Sequence, residues 1–314
     1  MTLDRDFVGY GEHPPDPRWP GGARLALNVV LNYEEGAEYC VLDGDEHAES
    51  ILSELGAGAP VAAARNLNIE SSYEYGSRAG VWRILRVLGE RELPFTLYGV
   101  GLALEKNPAV AEAAARLDCD VVAHGWRWID YRDVPEDVER ERIARCRDTI
   151  ERLTGQRPVG WFTGRPSVNT RRLVVEEGGF RYDCEAINDD LPYWVRVGDQ
   201  HQLVICHTFD TNDGRFGRGQ GFEHADDWFI YMRDAFDWLY QEGDYAPKML
   251  TVAMHCRLIG RPARIAALGK FLDHVAKHPD VWLCRRGEIA DHWYTHHPPG
   301  QVLSSGQLQE PLLK

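Results

Sequence analysis

His124 stands at the end of Asp120-Val121-Val122-Ala123, a short apolar run that reads as a buried strand. An imidazole where a strand gives way to a loop is well placed for chemistry, because parallel α/β sheets and barrels gather their sites at the carboxyl ends of strands. A lone histidine there is more often a satisfied core residue, but here the pattern recurs. Glu34 and Glu35 follow the apolar run 23–33, Arg165 follows 159–162, Asp210 and Asp213 follow 201–209, and His255 follows 249–254. At one end of a parallel sheet, these five exits would project into a single crevice. Adjacent carboxylates at a buried strand's exit are unfavourable unless something uses them. A carboxylate can take a proton from water, an imidazole can return one to a leaving nitrogen, and an arginine can hold the base ionised and oriented. An aspartate near a histidine raises its pKa and keeps it competent as an acid. These are the tools of a hydrolase for carbonyl–nitrogen bonds. Covalent catalysis through Ser167 or Cys256 is the competing enzyme reading. No GxSxG elbow is present, and His255 and Cys256, as neighbours on a strand, point to opposite faces.

The elements that must position these residues alternate along the chain. Apolar runs predict strands over 23–33, 93–100, 120–123, 159–162, 201–209, 249–254 and 281–284. Helical spacing predicts helices over 81–88, 108–117, 135–153, 170–177, 225–241, 262–276 and 286–293. Residues 70–76 lead into the first of these helices. Residues 37–69 read as a long active-site loop with a short helix near 48–55. The alternation predicts one parallel α/β domain over 1–314, barrel-like or doubly wound, with an irregular Pro- and Gly-rich arm at 1–23 and a loose tail at 299–314. No glycine-rich phosphate loop follows the first strand; Glu34-Glu35-Gly36 stands there instead.

Composition narrows the class. The 314 residues are 44% hydrophobic and 27% charged, with a formal net charge of −14, so nothing favours a nucleic acid or an anionic membrane as partner. No apolar run approaches the roughly 20 residues needed to span a bilayer, and the first residues do not read as a signal peptide. The seven cysteines include no CxxC pair and read as scattered, reduced thiols. A cytoplasmic location is expected.

At these positions the chain resembles the polysaccharide deacetylase family, which carries a strand-end acidic pair, a His-x-x-x-His loop, an Arg-Pro motif, a later Asp and a final strand-end His. The resemblance implies a distorted parallel (β/α) barrel. It also implies roles: Glu34 as base, Glu35 as metal carboxylate, His124 as first metal histidine, Arg165 as the arginine that positions the base, and His255 as acid. Asp210 or Asp213 matches the later Asp. The acids here are Glu, and the second histidine position is Trp128. An indole cannot act as a ligand in place of an imidazole, and Glu35 and His124 alone fall short of the roughly three protein ligands of a catalytic zinc site.

That combination looks like one branch of the family, the bacterial metal-independent allantoinases recruited from deacetylases. Leu31-Asn32-Tyr33-Glu34-Glu35-Gly36, Arg127-Trp128-Ile129-Asp130-Tyr131, Asp210-Thr211-Asn212-Asp213 and His255-Cys256-Arg257-Leu258-Ile259-Gly260-Arg261-Pro262 carry the likeness. It implies a cyclic amide substrate, allantoin above all, in purine or ureide catabolism, with no cofactor required and a homotetrameric assembly. Arg165, Arg257 or Arg261 could clamp ring carbonyls, and Trp126 and Trp128 could wall the pocket. Two alternatives stand beside this. One is a cyclic imide hydrolase or a deacetylase-like amidase that uses a divalent metal such as zinc, with a third ligand from Glu70 or His207. The other is a non-catalytic, ligand-binding family member.

Overall fold

The computed structural model describes residues 5–51, 62–117, 119–217 and 221–300. Its axis is β1, Leu25–Tyr33, buried along its whole length. Successive side chains alternate between faces. Leu25, Leu27, Val29, Leu31 and Tyr33 pack into the layer between sheet and helices, while Ala26 and Val30 join Tyr98, Val122 and Phe162 on the inner face. The same alternation puts Asn28, Asn32 and Glu34 on the inner side, and Glu34 is where the strand runs out.

The remaining elements follow in order: α1, Leu67–Tyr75; α2, Val81–Gly89; β2, Phe95–Gly99; α3, Gly101–Lys106; α4, Pro108–Ala115; β3, Cys119–Ala123; α5, Glu136–Thr154; β4, Gly160–Trp161; α6, Thr170–Glu177; β5, Tyr182–Asp183; β6, Tyr193–Val197; β7, Gln200–Val204; α7, Ala225–Glu242; β8, Lys248–His255; α8, Pro262–Val275; β9, Val281–Leu283; and α9, Arg286–His296. The strands run β6-β7-β5-β4-β3-β2-β1-β8 across the sheet. All neighbours are parallel except the β6–β7 hairpin. β9 pairs with the first residues of β1, and β2 with the last. Beyond β7 the chain passes alongside β8, where the Ala253 amide donates to the Thr211 carbonyl (3.0 Å) and ties the segment after β7 to the free edge of β8. This is a distorted parallel (β/α) barrel.

The barrel interior is polar at its lower end. Fully buried Arg286 donates to the Cys206 carbonyl (2.9 Å) and to Thr251 Oγ1 (2.8 Å), and Asn28 donates to the Cys284 carbonyl (2.7 Å). All seven cysteines are free thiols. No helix of the described residues is long and apolar enough to cross a membrane.

Several local expectations need correction. The strand expected over 201–209 ends at Val204 and is half of an antiparallel hairpin, and the two-residue strand β5 escapes any periodicity argument. Helix formation begins at Leu67, far ahead of 81, and a wide π-type turn at Gly76–Gly80 joins α1 to α2. Residues 48–51 are not helical; the rest of the short helix expected near 48–55, and the tail from 301 onward, lie outside the described residues.

Candidate active site

Four of the site residues are delivered by the ends of strands. Glu34 and Glu35 follow β1, His124 follows β3, and His255 closes β8. The His124 amide continues the β3 ladder onto the Gly99 carbonyl (3.0 Å). Gly125 then turns the chain at φ 75°, a left-handed conformation that suits glycine. A β-carbon there would stand 3.0 Å from the Tyr131 hydroxyl. The turn after β1 and the loop after β3 are stitched together: Trp128 N donates to the Ala37 carbonyl (3.0 Å), and Arg127 donates to the carbonyls of Ala37 (3.1 Å) and Glu38 (2.9 Å).

Glu34 is the hub. Its Oε1 lies 3.3 Å from His124 Nε2 and 3.4 Å from His255 Nε2. Its Oε2 accepts from Arg257 Nη2 at 2.6 Å. His124 is fixed from behind, because Nδ1 donates to the Phe162 carbonyl (3.1 Å) and directs Nε2 at Glu34. Behind His255 stands Asp213, whose Oδ1 accepts from Nδ1 at 2.6 Å. Glu35 is bound differently. Its Oε1 accepts from the Arg257 amide and from Nη1, both at 3.2 Å, and its Oε2 accepts from the Glu34 amide (3.0 Å). Arg257, fully buried, therefore lies between the two carboxylates, its guanidinium carbon 4.1 Å from the Tyr73 ring centre.

These contacts set the charges. Burial pushes Glu34 up, but Arg257, His255 and His124 outweigh it and hold its carboxyl well below the usual range. Burial also opposes charge on His255, yet Glu34 and Asp213 raise its pKa to about 9. Glu34 is thus ionised and His255 protonated at the same neutral pH. Glu35 is raised, chiefly by burial, with Arg257 offsetting part of it.

The structure departs from the sequence expectations at several residues. Asp213 is the aspartate in the site; Asp210 is exposed and bonds to Tyr231 and Arg215. Arg165 does not touch Glu34: it donates to the Trp128 carbonyl (3.1 Å) and lies over the Trp128 ring at 4.0 Å. Two buried carboxylates need a cation, and Arg257, expected to clamp substrate, fills that position. Arg261 lies over the Tyr75 ring at 3.7 Å. Trp126 packs in the core cluster with Arg145 over its ring (3.8 Å), whereas Trp128 sits between Arg165 and Arg257. The nucleophile candidates are engaged elsewhere: Ser167 Oγ donates to Glu139 (2.6 Å), and burial pushes the Cys256 thiol well above its ordinary value.

Sequence reasoning named His207 only as a metal ligand. It lies against Phe162 (4.4 Å between ring centres) and Tyr98 (5.5 Å), which also flank His124. Burial, with Arg286, His124 and His255 nearby, holds it neutral, well below the usual histidine range. Its position just past β7, one more strand exit, was the available signal. Tyr73 gave no such signal.

The positions matched to metal ligands are otherwise engaged here. Both Glu35 oxygens are engaged, by Arg257 and the Glu34 amide, and Trp128 offers no ligand. Among the described residues, no three potential ligand atoms converge around His124.

Residues 66–182 match the polysaccharide deacetylase family model. A Schizosaccharomyces pombe protein named "Putative polysaccharide deacetylase" is 40% identical over 317 residues, covering 95% of this chain and 99% of its own. This chain belongs to the polysaccharide deacetylase family. Deacetylases are hydrolases of carbon–nitrogen bonds. Two solved members are similar throughout. The crystal structure of PuuE allantoinase is 50% identical with a TM-score of 0.92, over 95% of this chain and 99% of that one. A probable polysaccharide deacetylase from Pseudomonas aeruginosa PAO1 is 51% identical, also with a TM-score of 0.92, over 94% and 99%.

Proposed function

We propose that this chain opens a cyclic amide, converting allantoin and water to allantoate without a metal. The observation that carries the reading is Arg257, whose guanidinium stands between Glu34 and Glu35. The similarity to PuuE allantoinase over nearly the full length supports the choice of substrate.

The chemistry follows from the charges. Glu34 takes a proton from water as the oxygen attacks the ring carbonyl. The carbonyl π electrons move onto its oxygen. As the tetrahedral intermediate collapses, the ring C–N bond breaks and His255 gives its Nε2 proton to the departing nitrogen. Asp213 holds the His255 ring in place throughout. His124 orients Glu34, and Arg165 beside Trp128 supplies a donor for a second ring carbonyl. Positioned acid–base groups each contribute roughly 10²–10⁴-fold. A planar ring with a second electron-withdrawing carbonyl needs less polarisation than a simple acetamide, so hydrogen-bond donors can replace a Lewis acid. Cytoplasmic purine or ureide catabolism and a homotetrameric assembly complete the proposal.

A second reading, a metal-dependent amidase, rests on His207. Its Nδ1 is buried without a hydrogen-bond partner among the described residues. Glu70, the other proposed ligand, is paired with Arg65 (2.5 Å). One experiment decides between them: allantoin hydrolysis by chelator-treated protein whose metal content is measured on the same sample. Activity without metal supports the first reading. Activity that returns only with zinc selects the second. No turnover in either state on allantoin or other cyclic imides removes both and leaves a ligand-binding protein.

A further inference from the structure

At the other end of the barrel, three potential ligands converge from α7 and from the end of α8: Asp237, His274 and His278, with one donor atom from each within 4.8 Å of the others. α8 has 14 residues, about 20 Å of helix. It leads away from the loop that holds His255 and Arg257, so the cluster is remote from the candidate active site.

The arrangement has the parts of a metal site. His274 Nε2 lies 2.6 Å from Asp237 Oδ1. His278 Nδ1 donates to the His274 carbonyl (3.0 Å), which fixes the ring and leaves Nε2 with its lone pair outward. A metal-bound histidine typically has its second nitrogen anchored in this way. The His278 ring is held edge-on by Phe236 (5.1 Å) and Tyr240 (5.0 Å), and Tyr240 is itself tied to the Pro279 carbonyl (2.7 Å). The two imidazoles are 4.7 Å apart between ring centres. Donor atoms of a tetrahedral zinc site stand roughly 3.3 Å apart, so Asp237 must withdraw by about 0.7 Å. Its side chain is 44% exposed and has room to do so.

We propose that Asp237, His274 and His278 bind one divalent transition-metal ion, zinc being the natural probe, with water completing the coordination. Two imidazoles and one carboxylate select that class over calcium or magnesium, which take oxygen donors. The ion would tie the end of α7 to the end of α8. It would have no part in hydrolysis, and the inference does not depend on the proposed function.

The test is a zinc titration of chelator-stripped full-length protein, read by elemental analysis after dialysis and by Tm. The native chain should retain one zinc equivalent more than D237N or H278A, and its Tm should rise with zinc concentration. Each variant should bind at least about tenfold more weakly and keep native activity. Retention of that equivalent in both variants, or no uptake by the native chain, overturns the assignment. Should H278A fail to fold, D237N, a half-exposed and nearly isosteric change, still decides the matter.

Discussion

Asp213 holds His255 at two points. Oδ1 accepts from the ring Nδ1 at 2.6 Å, and Oδ2 accepts from the backbone amide of the same residue at 2.8 Å. Oδ2 also accepts from the Ile259 amide (3.0 Å), so one buried carboxylate fixes the His255 ring, its backbone and the loop beyond. D213N should lower kcat/KM on allantoin by about 10²–10⁴-fold and move the alkaline limb of the pH profile to lower pH. D210N should leave both unchanged, since Asp210 lies outside the site. An equal loss in the two variants would contradict this assignment.

The pH profile of the native chain follows from the same contacts. The proposed reaction uses Glu34 ionised and His255 protonated, so kcat/KM should be flat through neutrality and fall above about pH 9 as His255 loses its proton. Stability has the same sign. The folded pKa of His255 is raised above its ordinary 6.5, so its contribution is complete below about 6.5 and is lost as pH rises through about 9. Urea titrations at pH 7 and pH 10 measure this. In H255N the part of the difference due to this residue should vanish.

Arg257 should be the most sensitive position for stability. R257M leaves two buried carboxylates uncompensated and should cost about 3–5 kcal/mol in urea unfolding, with activity abolished. R257K keeps a charge but cannot bridge both carboxylates with a planar fork. It should retain more stability than R257M while still losing activity.

Gly76 provides a test in which the usual sign reverses. Replacing a helical glycine with alanine ordinarily stabilises by about 1 kcal/mol. Here the new β-carbon would stand 2.5 Å from Glu35 Oε1, so G76A should destabilise by about 1–3 kcal/mol and depress kcat.

The strand exits were legible because a buried run that ends in a charged residue is visible along the chain. That logic located Glu34, Glu35, His124 and His255 within one centre. It could not separate Asp210 from Asp213, three residues apart, because a tight turn after Asn212 sends one inward and the other to solvent. Nor could it assign Arg257 to the carboxylates and Arg165 to Trp128. Both follow strands, and only the packed loops decide which guanidinium reaches Glu34. β5, with two residues, and the hairpin at 193–204 are held by pairing with neighbours, which leaves no periodic signature. The continuous helix through Gly76–Gly80 was hidden by glycines that ordinarily interrupt helices, yet here permit close approach to Glu35 and Cys256.

Glu35 and Arg257 are 222 residues apart in sequence. A ribosome emits the two acids long before the cation that neutralises them, and β8, which lines the whole edge of β1, emerges equally late. Burying β1 before the last third of the chain is made would leave Glu35 without the guanidinium that offsets its charge. The segment that completes the barrel is therefore also the one that neutralises its centre.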